Sequence, residues 1–234
     1  MVAQPVAVMQ RYELKYLIDA RQTAYVKQEL AGHMTMDEYG RTSIASLYYD
    51  TPDHRLIRAS MEHTPYKEKI RLRSYGLATA SSPVFLELKR KAHGIVYKRR
   101  VQSTVAQVQQ FFGGGSCSGD QIGREITYFR DCYRTLTPAC LILYDREAYR
   151  EPEGDVRLTV DYRPRYRLDP LDLTSSMDGI PLLPEGYAIL EIKVQQSVPL
   201  WLTKLLDAGQ IRKTSFSKYG EAYRQKLTAT IQKG

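Results

Sequence analysis

Three segments of the chain carry a glutamate and a lysine two residues apart within a strand-like run. These segments are Glu13-Leu14-Lys15, Glu87-Leu88-Lys89 and Glu191-Ile192-Lys193. Successive side chains on a β-strand point to opposite faces, so each Glu and Lys share a face and the apolar residue between them points away. Strands of this kind assemble a surface with many cations and a few carboxylates. Such a surface suits a polyanion bound together with a divalent metal.

The densest run of cations lies in residues 66–75. Lys67, Lys69, Arg71 and Arg73 follow one another there at a two-residue step. Four like charges on one strand face repel each other and are costly unless an anion neutralises them. The alternative interpretation is that each polar face is simply solvated, as one face of an antiparallel sheet usually is. The repetition of the pattern over distant segments favours an anion-binding surface.

Alternating polar and apolar residues predict the elements that position these side chains. They indicate about eight strands, at 10–18, 42–49, 66–75, 84–91, 95–101, 141–149, 156–163 and 187–194. Helices are expected at 20–31, 104–112, 121–135, 199–207 and 218–230. Helices on the apolar outside of a closed barrel would leave the charged faces lining its interior. We therefore predict an α+β fold in which a β-barrel encloses a charged tunnel.

Composition limits the class of protein. The chain has 234 residues, which fits a single domain over 1–234, and 34 Lys and Arg residues against 26 Asp and Glu residues give a net charge of +8. That charge implies an anionic partner. The three cysteines show no C-x-x-C spacing, and the four histidines form no zinc-binding pattern. The chain shows no signal peptide and no segment of membrane-spanning length, so a cytoplasmic protein is expected.

Several other chemistries find no support. The glycine-rich loop at 113–119 lacks a P-loop ending, because Gly119 is followed by Asp120. A Gly-x-Ser-x-Gly nucleophile elbow is missing as well. The tyrosines mostly fall on apolar strand faces, which indicates core packing and not base stacking, so no nucleic-acid partner is expected. The tyrosines in question are Tyr48, Tyr49, Tyr97 and Tyr162.

Ser217 and Lys218 have two compatible interpretations. Ser217 is a plausible N-cap for the last helix. A capped helix start with Lys218 beside it also presents free N–H groups and a cation to a phosphate.

Seven segments, in order along the chain, resemble the motifs of the VTC domain, the polyphosphate polymerase branch of the CYTH-like triphosphate tunnel metalloenzymes. They are residues 12–16 (YELKY), 48–52 (YYDTP), 69–76 (KIRLRSYG), 87–89 (ELK), 144–146 (YDR), 190–193 (LEIK) and 217–219 (SKY). The resemblance implies an eight-stranded antiparallel β-barrel tunnel with flanking helices.

The resemblance also implies a set of site residues. The catalytic cations on the triphosphate would be Lys15, Arg71, Arg73, Lys89, Arg146 and Lys218. Further phosphate contacts would come from Lys98, Tyr144, Lys193 and Ser217. Glu191 would hold Mn²⁺ or Mg²⁺, with Glu13 as a second candidate ligand, whereas Glu87 and Asp161 could instead orient the cations.

The leading hypothesis is a metal-dependent phosphotransferase that moves the γ-phosphate of ATP onto a growing polyphosphate chain. A triphosphatase on the same fold is the alternative, and a non-catalytic polyanion- or RNA-binding barrel is a third possibility. Hydrolytic relatives open with Glu-x-Glu-x-Lys, whereas this chain has Arg11 at the first position, which favours the polymerase branch. Eukaryotic members carry an inositol-phosphate-sensing domain and membrane helices, and we expect neither feature to apply to this chain.

Overall fold

The computed structural model describes residues 12–62, 64–92 and 95–231. Its strands are β1 (Tyr12–Ile18), β2 (Thr35–Asp50), β3 (Tyr66–Tyr75), β4 (Val84–Ala92), β5 (Ile95–Ser103), β6 (Thr137–Arg150), β7 (Arg157–Arg167), β8 (Ile180–Pro181), β9 (Ala188–Val194) and β10 (Lys213–Thr214). Its helices are α1 (Ala20–Leu30), α2 (Arg55–Met61), α3 (Val105–Phe112), α4 (Gln121–Tyr133), α5 (Leu200–Ala208) and α6 (Lys218–Ile231). All eight predicted strands are present in the part of the chain described. Two strands of two residues each and the short helix α2 were not predicted.

The strands form one antiparallel sheet in the order β10-β1-β9-β7-β6-β2-β3-β4-β5, with β8 paired to β7. The predicted α+β class and antiparallel pairing are confirmed. The hydrogen-bonded ladder over the described residues ends at β10 on one side and at β5 on the other, so it does not close into the predicted eight-stranded barrel.

The sheet is nevertheless strongly rolled. Glu13 on β1 lies 3.8 Å from Lys89 on β4, measured from Oε2 to Nζ, although five strands separate β1 from β4 in the sheet order. In a flat sheet, six spacings of about 4.8 Å would hold these strands nearly 30 Å apart. The two side chains therefore meet across a concave face, which carries the Glu-x-Lys pairs.

The convex face is apolar and is covered by helices. Leu141 and Leu143 of β6, both fully buried, pack beneath α3 and α4. Around β7 and β9, Leu158 and Leu190 pack with residues of α1 and α5. This alternation is what the sequence pattern predicts, because burying one face of each strand leaves the other face for polar side chains.

The last helix, α6, packs against one end of the concave face. Tyr219 and Ala222 of α6 share a cluster of buried apolar residues with Ile44, Ile142 and Tyr144. The Tyr219 hydroxyl also donates a 3.0 Å hydrogen bond to Asp50 at the end of β2. The opposite end of the concave face, towards the end of β6 and the start of β7, lies away from these contacts.

Asp50 also explains the unpredicted helix α2. Its carboxylate is fully buried and accepts backbone hydrogen bonds from Thr51, Leu56 and Ile57 at 2.8–3.0 Å. These N–H groups belong to the first turn of the helix and its approach, where intrahelical acceptors are lacking. A carboxylate several residues upstream thus caps a helix of only seven residues.

In the described part of the chain, the structure contains no helix that is both long and apolar enough to span a membrane.

Candidate functional site

The concave face gathers charged side chains from at least seven strands and the start of α6. Register pairs place Lys15 opposite Glu191, Arg71 opposite Glu87, and Lys89 opposite Lys98. The sequence-predicted site residues that lie on or beside this face are Glu13, Lys15, Arg71, Arg73, Lys89, Lys98, Tyr144, Arg146, Glu191, Lys193, Ser217 and Lys218.

One charged network is centred on Asp161 of β7, whose side chain is fully buried. Arg146 donates to both Asp161 oxygens, at 2.5 and 2.7 Å, and Lys218 forms an ion pair with the same carboxylate. Glu191 contacts Arg146 at 3.3 Å and Lys218 at 3.5 Å. The bidentate fork fixes the Arg146 guanidinium in one orientation, so Asp161 acts as a support for two cations.

Glu191 stays ionised in this network. Burial by itself would raise the pKa of Glu191, but Lys218, Lys15 and Arg146 together hold it well below the ordinary value. Lys15 shows the reverse balance: burial lowers its pKa, and the attraction of Glu191 and Glu13 raises it overall. The pairing therefore keeps both signs of charge fully developed at neutral pH.

Glu13 and Glu191 are two carboxylates that could hold a metal together, because both contact the same lysine. Their Oε1 atoms lie 3.2 and 3.4 Å from the same Lys15 Nζ. Thr159 stands in register with Glu191, and its buried hydroxyl has no hydrogen-bond partner in the part of the chain that the structure describes. Within the described residues, no three His, Cys, Asp or Glu side chains converge as a complete metal site. Two carboxylates fit Mg²⁺ or Mn²⁺ when phosphate oxygens and water supply the remaining ligands.

A second network surrounds Glu87 of β4, which is 2% exposed. Four cations approach this one carboxylate: Arg71 at 2.7 Å, Lys98 at 2.8 Å, Arg100 at 3.5 Å and Arg73 at 3.8 Å. Burial opposes ionisation, but Arg71, Arg73 and Lys98 outweigh it and lower the pKa of Glu87 to about 2. One negative charge cannot neutralise four positive ones, so this network retains capacity for an anion.

Lys69 also lies at this site, although the sequence analysis placed it only in the cation run of residues 66–75 and not among the site residues. Its Nζ donates to Ser217 Oγ at 3.4 Å, and no carboxylate in the described structure lies within 4 Å of it. Burial, together with the neighbouring Lys89, Lys15 and Arg71, lowers the pKa of Lys69 to about 8. The sequence pattern that could have identified Lys69 is its two-residue spacing from Arg71, which places both side chains on one strand face.

Ser217 caps α6, as one of its two interpretations predicts, whereas its contact with phosphate stays a prediction. Its hydroxyl accepts from the Gly220 N–H at 3.2 Å in the first turn of α6, as a cap does, and it also contacts Lys69. The preceding carbonyl of Phe216 accepts from Lys15 at 3.2 Å. The start of α6 is thereby attached to both β1 and β3.

The predicted placement of Tyr48 is wrong, because the sequence analysis assigned it to an apolar strand face and the structure places it on the concave face. Its hydroxyl accepts from Arg71 at 2.9 Å, and its ring stacks on Tyr219 with centroids 4.6 Å apart. Burial favours the neutral phenol, yet Arg71 and Lys69 lower the pKa of Tyr48 to about 8. The β2 alternation places Tyr48 beside Ser46, whereas Tyr49 packs in the convex core as predicted.

The remaining predicted residues occupy the edges of the two networks. Tyr144 accepts from Arg73 at 3.3 Å, and Lys218 Nζ lies 4.6 Å from its ring centre. Lys89 is about half exposed, and among the described residues its ion pair is with Glu13, at 3.8 Å. Lys193 pairs in register with Glu13, and the lowered pKa of Lys193 results from burial.

Arg11, on which the sequence analysis based its expectation of the polymerase branch, lies outside the described residues.

Solved structures of similar fold include a "putative adenylate cyclase" from Bacillus halodurans, with a TM-score of 0.55 and 13% identity over 89% of this chain and 96% of that chain. Another "putative adenylate cyclase", from Vibrio parahaemolyticus, has a TM-score of 0.49 and 10% identity over 92% of this chain and 98% of that one. At 13% identity, the likeness to the Bacillus halodurans structure shows the fold alone. No curated protein sequence matches the chain.

The family comparison is more direct. A family model described as the VTC domain matches residues 10–226. The match includes every segment on which the motif resemblance was based and both charged networks of the concave face. Since it spans nearly all of the 234 residues, this protein belongs to the VTC domain family.

Proposed function

We propose that this protein is a metal-dependent polyphosphate polymerase, which transfers the γ-phosphate of ATP to a growing polyphosphate chain on the concave face. The observation that carries the proposal is the excess of cations there over the carboxylates they contact. Glu87 forms ion pairs with four cations, while Lys69 and Lys193 have no carboxylate within 4 Å in the described structure. Like charges held together in this way need an anion.

Phosphoryl transfer requires in-line positioning and neutralisation of charge more than covalent chemistry from the protein. Arg71 and Arg73 from β3 and Arg146 from β6 offer planar forks to phosphate oxygens, and Lys218 offers a point charge. Asp161 holds Arg146 and Lys218 in place before substrate binds, so these side chains need little reorganisation during the reaction.

Glu191 and Glu13 would hold the divalent cation, with Thr159 beside them. Bound Mn²⁺ or Mg²⁺ supplies neutralisation of the phosphate oxygens and a template for the transferring group. Glu191 keeps its negative charge over the neutral pH range, because the surrounding cations hold its pKa well below the ordinary value.

The acceptor distinguishes a polymerase from a hydrolase. A polyphosphate end is already ionised and needs no base, whereas an attacking water must lose a proton. The pKa values of Glu13, Glu87 and Glu191 are all lowered by neighbouring cations despite burial, which makes these carboxylates weak bases. This supports transfer to phosphate.

A triphosphatase remains the second candidate on one observation. Lys69 has a pKa of about 8, so a fraction of this side chain is neutral near pH 7.5 and able to take a proton from water. If hydrolysis is the reaction, Lys69→Met would abolish it while leaving ATP binding largely in place.

The test incubates purified protein with ATP and Mn²⁺ or Mg²⁺ and measures chain length on a gel together with released phosphate. Long polymer supports the proposal. Free phosphate without polymer assigns the triphosphatase, and neither product would leave a non-catalytic polyanion-binding protein.

Arg146→Ala tests the site assignment in the same assay. Loss of a positioned donor to the transferring phosphate should lower kcat by about 100-fold or more. Arg146→Lys keeps the charge but removes the fork, and it should recover only part of the activity. Arg21→Ala, an exposed position on α1 of the convex side, is the matched control and should keep wild-type turnover. Full activity in Arg146→Ala would refute the assignment.

A further inference from the structure

A hollow lies on the convex face, where β3, β4 and β5 approach the first half of α4. Its volume is about 210 Å³. The residues that line it include Tyr66, Arg90, Ala92, Tyr97, Arg99 and Glu125. Sites for drug-sized ligands usually have volumes of about 300–1,000 Å³, so this hollow limits its occupant to a small ring system.

The sheet separates the hollow from the charged networks of the concave face. Leu88 of β4 also lines the hollow and is fully buried in the apolar core of the convex side. Lys89, the next residue along the strand, reaches Glu13 across the concave face. Successive strand residues point to opposite faces, so a ligand in the hollow does not contact the proposed polymerase site.

The hollow exists because a small residue lies among large ones. Ala92 pairs in register with Tyr66 of β3. Arg90, two residues earlier on the same face, pairs with Tyr97 of β5. Directly opposed residues have Cβ atoms about 5 Å apart, and the methyl group of Ala92 cannot fill the space between the larger side chains. Tyr66 is 51% exposed and Tyr97 is partly buried, so both rings retain surface for contact with a ligand.

The charges around the hollow are balanced within the protein. Arg90 Nε donates to Glu68 at 2.6 Å. Arg99 donates to both oxygens of Glu125, at 2.7 and 3.5 Å. Each guanidinium therefore has its own carboxylate, in contrast to the excess of cations on the concave face. A phosphate anion gains little here, and an uncharged ligand is favoured.

Hydrogen-bonding groups of both kinds nevertheless line the hollow. Among the described residues, the hydrogen bond of Arg90 uses Nε alone, so its terminal N–H groups remain available as donors. The carboxylate of Glu125 is an acceptor on the opposite side. Tyrosine rings and guanidinium planes both stack on flat π systems. A nucleobase fits this combination, because it is flat and its edges carry both acceptors and donors.

We propose that the hollow between Tyr66 and Tyr97 is a second ligand site, which binds the base of a nucleoside. The rings supply the stacking surfaces, and Arg90 and Glu125 recognise the edge of the base. The site lies outside the proposed polymerase activity, because it is on the other side of the sheet and takes the base whether or not phosphates are attached. The balanced charges favour a single nucleoside over RNA, since RNA binding depends on cations that neutralise successive phosphates.

Saturation-transfer NMR titrations on the full chain measure the affinity for adenosine, for guanosine and for p-cresol, which is a plain aromatic ring. Tyr97→Ser removes one stacking ring, and Ala92→Leu fills the hollow without removing a contact. Tyr39→Ser, at a tyrosine that is 74% exposed on β2, is the matched control. We expect a nucleoside to bind the wild type more tightly than p-cresol does, and its affinity to fall about tenfold or more in both hollow variants. The control should keep wild-type affinity, and calorimetry should find unchanged tripolyphosphate binding in all three variants.

Other outcomes overturn the inference and leave the proposed polymerase standing. They include a wild-type protein that binds neither nucleoside, and p-cresol binding as tight as that of the nucleosides, which shows a pocket without base recognition. Displacement of the nucleoside by tripolyphosphate, or wild-type nucleoside affinity in Ala92→Leu, places the nucleoside elsewhere. Tighter binding of a short single-stranded RNA than of adenosine, lost in the same variants, assigns the hollow to RNA instead. If Tyr97→Ser fails to fold, Ala92→Leu decides alone.

Discussion

Replacing Glu87 by Gln should lower the free energy of unfolding of the protein without bound anion. It should also increase the stabilisation that a bound phosphate anion provides. The substitution keeps the size of the side chain but removes the one negative charge among Arg71, Arg73, Lys98 and Arg100. The pKa of Glu87 falls from an ordinary 4.5 to about 2 in the folded protein. At about 1.4 kcal/mol for each tenfold change in proton affinity, this corresponds to about 3 kcal/mol. Breaking a buried ion pair from one side costs a similar amount, about 3–5 kcal/mol.

The pH dependence has a definite sign. A carboxylate whose pKa is lowered by folding contributes its stability above the unfolded pKa and loses it as the pH falls towards the folded value. The difference between wild type and Glu87→Gln should therefore be full above about pH 5. It should shrink between pH 4.5 and about 2, where Glu87 of the wild type also becomes neutral.

The assay is urea unfolding at pH 7 followed by far-UV circular dichroism, with and without tripolyphosphate. Glu87→Gln should lose about 3 kcal/mol without the anion and regain most of it when tripolyphosphate neutralises the four cations. Glu221→Gln, in an exposed pair with Arg224 on α6, is the control and should change stability by no more than about 0.5 kcal/mol. Equal stability of Glu87→Gln and wild type, with the same shift from tripolyphosphate, would refute the reasoning.

Two further predictions concern groups around α6. Tripolyphosphate affinity should fall as the pH rises through about 8, because Lys69 loses its charge there, and calorimetry on Lys69→Arg should find the fall removed. Tyr48 titrates in the same range, so a fall that persists in Lys69→Arg but disappears in Tyr48→Phe would assign the effect to the phenol instead. Tyr219→Phe should lower the free energy of unfolding by about 1–3 kcal/mol, since it leaves buried Asp50 without one hydrogen bond. Exposed Tyr128→Phe should be neutral in the same denaturation experiment, and equal effects of the two substitutions would contradict the role of the Asp50 contact.

Much of the sheet was predictable because its physical cause is local. In β3, the alternation of Ile70 and Leu72 with Arg71 and Arg73 already separates a convex apolar side from a concave charged side. The same two-residue period located all eight long strands, although β2 begins at Thr35 and not at 42. Helix α2 escaped prediction because its cap, Asp50, acts from outside the helix.

Strand pairing and curvature depend on contacts between distant residues and were not available from local pattern. The ion pair between Glu13 and Lys89 connects residues that are 76 positions apart in the sequence, and no periodicity in either segment specifies this contact. Tyr48 was misplaced for a related reason: a tyrosine fits either face, and Arg71 of the neighbouring strand decides which one is favourable.

By itself, the sequence determined which side chains share a face, because alternation along a strand follows from backbone geometry. It therefore identified Lys15, Arg71 and Glu191 as members of charged faces, and the family motifs linked them to phosphate chemistry. Only the tertiary structure decided which charges meet. Rolling the sheet brought four cations to Glu87, left Lys69 without a carboxylate among its described neighbours and aligned Arg150 with Arg157. Electrostatic energies depend on separation and burial in space, and both are set by the packing of the whole chain.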